Sequence, residues 1–460
     1  MLDGKFKTYL EEAIGGDNAL VAFSAFDTPA STSVRINPLK PCSGTGLIRQ
    51  KSAPVPWSED GLMMDSRPVF TLDPLFHAGA YYVQDSSSMF VGHIFREFVR
   101  PGLSSAPVRV LDLCAAPGGK TTDLAASLRR VCGDSFLLVA NEVMKQRAGV
   151  LAENVALWGD PNIVVTNDDP KAFSALEGFF DVVLADVPCS GEGMFRKDEQ
   201  AVGQWSEENV ALCAARQKRI LADMWDCLAE GGILIYSTCT FNRYENDFNA
   251  EWIVSELGAE PLTKDTGAFG HGVLKTEWGY SLVPGHVCGE GQYCAAFRKT
   301  GRNSARRLSN GRLKPSRTPV SKEESKLLSQ YFPEDFSFRK KLDTFIAVPH
   351  VAESYLSVLE SYLHVIAVGC ALGTFKGNTL VPDADMALSF KATRAAFPSV
   401  DVDRMTALKF LHRDAITLVD APRGYVSIVY DSIPLGYVKN LGNRCNSLHP
   451  PGRRIRMNII

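Results

Sequence analysis

Between Val108 and about Phe297 short apolar runs alternate with longer stretches of helical periodicity, and this constrains the fold more than any other feature. Strands separated by helix-length crossovers lie parallel, and a parallel sheet must be covered by helices on both faces. The runs are Val108 to Leu113, Phe136 to Ala140, Ile163 to Val165, Asp181 to Ala185 and Gly232 to Tyr236. Helical segments lie between them, among them Val143 to Leu157 and Glu207 to Leu228. The second is read as ending at Glu230, Gly231 and Gly232, a helix stop. The pattern predicts an α/β fold, a doubly wound Rossmann-like domain over residues 96–300.

A chain of 460 residues exceeds what one core ordinarily holds. The stretch Gly301 to Pro319 carries Arg302, Arg306, Arg307, Arg312, Lys314 and Arg317 with no acidic residue, and reads as an exposed basic linker at 301–320. Beyond it, in 321–460, the runs Ile416 to Leu418, Tyr425 to Tyr430 and Leu435 to Val438 are β-rich. They are separated by Pro422, Arg423 and Gly424 and by Ser432, Ile433 and Pro434, so a small β-rich C-terminal module is expected. Residues 1–95 form an N-terminal extension with a strand at Thr32 to Ile36.

No apolar run reaches the roughly 18 to 20 residues of a membrane span. Met1 to Gly15 mixes Lys5, Lys7, Glu11 and Glu12 with apolar residues and does not read as a secretory signal. The 11 cysteines form no C-x-x-C pair, so free thiols in a reducing cytoplasm are expected, and no metal site. A net charge of −3 gives no global pull on nucleic acid, which leaves that task to local basic patches.

The first strand runs into Cys114, Ala115, Ala116, Pro117, Gly118, Gly119 and Lys120 and then a helix start. Small residues let the backbone approach a ligand there, and the absence of G-x-G-x-x-G disfavours a nicotinamide cofactor. Glu142 follows the second strand and is placed to accept from both hydroxyls of a ribose. After the third strand, either Asp168 or Asp169 can accept from an adenine amino group.

The fourth strand ends in Asp186, Val187, Pro188, Cys189 and Ser190, the fifth in Ser237, Thr238, Cys239 and Thr240. Ligands of an open parallel sheet bind beyond the carboxyl ends of its strands, so these two thiols converge on one crevice. A thiol pair suits one reaction in particular. Carbon 5 of cytosine becomes nucleophilic only after a thiolate attacks carbon 6, and the resulting enamine can take a methyl group from a sulfonium. Asp186 is placed to hold N3 of the ring, and Lys120 to orient Asp186.

These residues resemble the Nop/Sun family of RNA cytosine-5 methyltransferases, in its RsmF-type branch acting on 16S ribosomal RNA. The resemblance covers Arg35 to Pro38, Phe76 to Ser88 with Tyr82, Gln84 and Asp85, the Cys114 to Lys120 loop, Glu142, Asp169, the loop from Asp186 to Lys197, and Ser237 to Thr240. It implies S-adenosyl-L-methionine as cofactor, bound by Cys114 to Lys120, Glu142, Asp169 and Asp186. It also implies Cys239 as nucleophile, Cys189 as the residue aiding release, and Asp186 with Lys120 beside them. Val187 stands where alanine is more usual, and Asn443 to Pro450 matches only loosely.

RNA is therefore the expected partner of a monomeric enzyme, with the N-terminal extension and 321–460 as RNA-binding regions, the latter PUA-like. Met194, Phe195, Arg196 and Lys197 are candidates for a wall and phosphate contacts around an extruded base. Lys439, Arg444, Arg453, Arg454 and Arg456 beside Tyr437 form a candidate phosphate-binding patch. Three alternatives are a transfer RNA substrate, a non-catalytic ribosome assembly factor, and an amino-group methyltransferase. The last would place Asn or Asp, Pro, Pro and an aromatic residue where Asp186 to Cys189 stand.

Overall fold

A computed structural model describes residues 2–43, 48, 52–99, 107–269, 272–301 and 320–459. Five strands form the parallel heart of the molecule: β1 (Val108–Asp112), β2 (Phe136–Asn141), β3 (Ile163–Thr166), β4 (Phe180–Asp186) and β5 (Leu228–Thr238). Their order is β5-β4-β1-β2-β3, so the winding reverses direction between β1 and β4, where a crevice opens at the carboxyl ends. The runs are apolar without alternation because both sheet faces are buried: every residue of β2 and β3 is buried.

Helices α1 (Gly119–Cys132), α2 (Lys145–Trp158) and α3 (Glu207–Met224) make crossovers. Ser206 caps α3 by accepting from the Asn209 N–H, and Glu207 and Glu208 favour its positive N-terminal end. The helix stops at Met224, not at the glycines, and a 3-10 turn at Trp225–Cys227 leads straight into β5. Gly231 and Gly232 serve inside that strand instead. Pairing with β4 slips there from Phe180↔Leu228 to Val182↔Ile233, and Gly231 sits at φ 73°, a bulge that glycine tolerates.

The sheet extends at both edges with antiparallel strands. On one side β6 (Gln292–Lys299) pairs with β5. On the other, β7 (Val365–Val368) pairs with β3. β7 comes from beyond the basic stretch at 302–319; Arg302, Arg306, Arg307, Arg312, Lys314 and Arg317 lie outside the described residues. Helix α4 (His350–Tyr362), just before β7, buries Ala352, Leu356 and Leu359 in the core on one face of the central sheet.

The N-terminal region places two helices, Gly4–Ile14 and Gly16–Phe26, ahead of an antiparallel four-stranded sheet that includes Thr32–Ile36. The C-terminal region carries two further four-stranded sheets, one within 336–382 and one within 399–447. Gly424–Tyr430 and Ile433–Asn440 are strands of the last sheet. Ile433 and Pro434 belong to a strand, and the reversal falls on Asp431 and Ser432, both at positive φ. Ile416–Leu418 lies outside any ladder: its apolar residues are buried as packing, beside strands rather than within one. Val34 and Ile36 share a core with Leu408, Phe410 and Ile428, so the two ends of the chain pack on each other. Among the described residues no helix is long and apolar enough to cross a membrane.

Candidate active site

The loop after β1 is shaped for close approach. Gly118 takes φ 110°, and a Cβ on Gly119 would stand 3.3 Å from the Tyr82 ring. Its carbonyls are taken up from outside: Arg147 donates to Ala116 O (2.8 Å), and Asn154 and Tyr82 donate to Pro117 O (2.8 and 3.2 Å). Arg35, fully buried over the Trp158 ring, donates to Gln84 Oε1 (2.8 Å) and to Gly119 O (3.1 Å). The N-terminal sheet thus buttresses the loop. Below it, burial pushes Asp112 up to about 7, although Thr121 donates to it at 2.6 Å.

Glu142, at the end of β2, is buried with its carboxylate fixed by the Met144 N–H (2.9 Å) and by Arg147 (3.2 Å). Two donors leave lone pairs on a carboxylate, which suits a ribose. The two aspartates after β3 separate here. Both oxygens of Asp168 are engaged by His364, through its main-chain N–H and its ring, each at 2.9 Å. Asp169 is exposed, capping the next turn through the Lys171 N–H (3.0 Å). Asp169 is the one free to meet a ligand. His364 precedes β7 and was not found from sequence; only the pairing of two distant runs brings it here.

The end of β4 sets Asp186 2.9 Å from the Lys120 ammonium at the start of α1. Burial works against the charge of Lys120, but Asp186 and then Cys239 outweigh it and hold the ammonium above its usual range. Cys189 and Cys239 meet with sulfurs 3.1 Å apart. The Cys239 sulfur first, and burial next, push the Cys189 thiol well above its ordinary value. The contact can hold one proton between the two sulfurs, and either sulfur can be its donor.

Other residues hold this pair and were not singled out from sequence. Glu192, Glu245, Gln217, Asn242 and Gln292 are all buried around the two thiol loops. Gln292 on β6 donates to Thr238 O (2.9 Å), and Gly193 N–H donates to Cys239 O (2.7 Å). In a sequence an acid within a polar loop carries no sign that it will be buried, so no local signal marks them.

Of the candidate wall, Met194 is 42% exposed, but Phe195 is buried against Phe6 with ring centroids 5.0 Å apart. Arg196 is not available to phosphate: it forks onto Glu290 at 2.8 and 2.9 Å and donates to Gly289 O (2.7 Å). Lys197 pairs with Asp85 at 2.8 Å. Near the C-terminus Tyr437 is buried beside Phe397, and Arg453 is engaged by Glu153 and Asp385. Lys439, Arg444, Arg454 and Arg456 are exposed, with Lys439 over the Tyr425 ring at 5.6 Å. Among the described residues no cluster of His, Cys, Asp and Glu could hold a metal ion.

A reversing parallel sheet, a small-residue loop, an acid after β2 and paired thiols at the carboxyl ends define the class of Rossmann-like, S-adenosylmethionine-dependent methyltransferases. Residues 105–298 match the family described as 16S rRNA methyltransferase RsmB/F. Residues 2–86 match the N-terminal domain of 16S rRNA methyltransferase RsmF, and 397–455 the methyltransferase RsmF PUA domain. A ribosomal RNA small subunit methyltransferase F of Shewanella baltica is 31% identical over 452 residues, covering 93% of this chain and 91% of that protein. The protein of the same name in Pectobacterium atrosepticum is 34% identical over 294 residues, covering 60% and 58%. The chain belongs to the ribosomal RNA small subunit methyltransferase F family. In fold it is similar to NSun6 from Pyrococcus horikoshii with SFG, over 65% of this chain and 98% of that one (TM-score 0.52, 17% identity). A methyltransferase homolog protein from the same organism also aligns, over 65% and 100% (TM-score 0.51, 24% identity).

Proposed function

We propose that this enzyme, a 16S ribosomal RNA cytosine methyltransferase, forms a covalent bond from Cys239 to carbon 6 of its target cytosine and methylates carbon 5. The observation that carries the reading is the pair of sulfurs 3.1 Å apart, at the carboxyl ends of β4 and β5 and beside the Lys120–Asp186 pair. S-adenosylmethionine, when bound, supplies an electrophilic methyl group. Glu142 and Asp169 suit its ribose and adenine, and the Cys114 to Lys120 loop its remaining length.

Cys239 attacks carbon 6 as thiolate, with the Lys120 ammonium nearby to favour that charge. Asp186, steadied by Lys120, shares a proton with N3, giving it up as thiolate attack builds negative charge on the ring and taking it back once carbon 5 is methylated. Once carbon 5 carries its methyl group, its proton must leave and the bond from sulfur to carbon 6 must break. Cys189, acting as a thiol in contact with the Cys239 sulfur, suits both. Its proton passes to the departing Cys239 sulfur while its own sulfur takes the proton from carbon 5, so both cysteines end as thiols.

Lys439, Arg444, Arg454 and Arg456, rather than Arg453, supply phosphate contacts. The N-terminal extension and the region 321–460 bind RNA around a monomeric, metal-free, cytoplasmic enzyme. Incubation of Cys239→Ala and Cys189→Ala with substrate RNA and S-adenosylmethionine, followed by a denaturing gel, tests the assignment. Cys189→Ala should retain a covalent RNA band, and Cys239→Ala should give neither adduct nor product. A trapped band from Cys239→Ala would reverse the roles, and bisulfite sequencing of ribosomal RNA from cells with and without the gene would locate the cytosine.

A further inference from the structure

The two thiol loops are joined by buried carboxylates pointing in opposite directions. Glu192, on the Cys189 loop, accepts from the main-chain N–H groups of Phe241 (2.6 Å) and Asn242 (3.1 Å), two and three residues past Cys239. It also accepts from the side chains of Asn242 (2.8 Å) and Trp205 (2.9 Å). Glu245, on the Cys239 loop, accepts from the Ser190 N–H beside Cys189 (3.0 Å), and from Gln217 (2.7 Å) and Asn242 (3.0 Å). Each loop therefore anchors the backbone of the other.

A buried carboxylate is expensive unless its lone pairs are satisfied, and the hydrogen-bond donors to both groups are neutral N–H groups. Acids kept in place by neutral donors alone are a costly way to stiffen a loop, which points to a positional task. We propose that Glu192 and Glu245 form a reciprocal clasp setting the separation of the two thiols, and that Glu245, through the Ser190 amide, is the positioning residue for release of the covalent adduct. The proposal rests on the assignment of Cys239 as nucleophile and Cys189 as the releasing residue. Glu192 braces the loop that attacks, and Glu245 the loop that releases.

The surroundings of Glu245 make the clasp sensitive to protons. Glu192, Cys189 and Cys213 interact with it electrostatically, and the Tyr236 hydroxyl donates to its main-chain carbonyl. Burial first, and Glu192 next, push Glu245 up to about 7. Its three donors need an acceptor, so protonation loosens the clasp as pH falls through that value.

The full-length Glu245→Gln enzyme, with substrate RNA and S-adenosylmethionine, provides the test. It should accumulate adduct on denaturing gels while first-turnover methyl transfer and cofactor affinity match wild type. Wild-type adduct resolution should slow about tenfold per pH unit below 7, as for one essential ionisation, and Glu245→Gln should lose that dependence. Loss of cofactor affinity together with methyl transfer would indicate a merely structural role and overturn the proposal. So would adduct resolution at the wild-type rate. Cys189→Ala run in parallel separates the two levels: a trap there but not in Glu245→Gln sinks the clasp alone, whereas no trap in Cys189→Ala sinks the assignment beneath it. Should Glu245→Gln fail to fold by circular dichroism, Glu245→Asp, which keeps the charge but shortens the reach to Ser190, must trap adduct too.

Discussion

The five parallel strands and β7 belong to one sheet, yet the chain supplies them differently. β2 and β3 are buried along their whole length and follow one another through local crossovers. β7 is only half-buried at every position and returns from about two hundred residues downstream. The parallel strands owe their place to continuous apolar surface on both faces. β7 owes its place to ladder hydrogen bonds with β3, to its own partly buried Val365, Ile366, Ala367 and Val368 packed against the cores on the two faces, and to α4, which precedes it. A sheet can thus be extended at its edge by a short β-branched run, Val365 to Val368, that arrives from far downstream beside a helix packed on the same core.

That difference can be broken most forcefully at α4. Leu356 is fully buried in the core below the central sheet, and Leu356→Ala should cost about 3 kcal/mol, within the range for leucine truncations in cores. Urea denaturation followed by tryptophan fluorescence measures it. A single cooperative transition displaced as a whole would mean that the segment from 320 onward folds with the parallel sheet. If only a separate, early transition moved, the C-terminal half would be an appended unit and the contrast drawn above would fail.

The parallel strands were legible because burial on both faces writes itself into sequence as uninterrupted Val, Ile, Leu and Phe. The placement of the candidate site was legible where it is local: the Gly118–Gly119 turn follows β1, Glu142 follows β2, and Cys189 and Cys239 follow β4 and β5. It was not legible where function depends on pairing between distant segments. His364 reaches Asp168 across 196 residues, and Arg196 looks like a phosphate ligand until Glu290 is placed beside it. The helix stop assigned to Gly231 and Gly232 failed for a related reason. Two glycines signal a break, but whether they end a helix or bulge a strand depends on β4, which lies beside them only in the fold.

Glu142 offers a smaller perturbation, confined to the locally legible half. Its carboxylate keeps two internal donors and has capacity left for hydroxyls, so Glu142→Ala should weaken S-adenosylmethionine binding by roughly 1 to 3 kcal/mol through lost charge-assisted hydrogen bonds. Isothermal titration with the cofactor reads this directly. Unchanged affinity would place the ribose elsewhere in the crevice.

His364 should give the smallest effect. Asp168 is buried, and its two oxygens accept from the His364 ring and from the His364 main-chain N–H. His364→Ala deletes only the first of these, since alanine keeps its N–H, and the ring is 70% exposed. Water can therefore reach the oxygen that the ring leaves behind, and the stability cost should be about 1 kcal/mol, near the net value of one hydrogen bond. Asp169 should stay in place because its cap on the next turn, through the Lys171 N–H, is independent of His364. Cofactor affinity should then hardly change. A tenfold or larger loss of S-adenosylmethionine affinity in His364→Ala, with the fold intact by circular dichroism, would instead show that the distant segment helps to form the cofactor site, and that the far edge of the sheet is functional as well as structural.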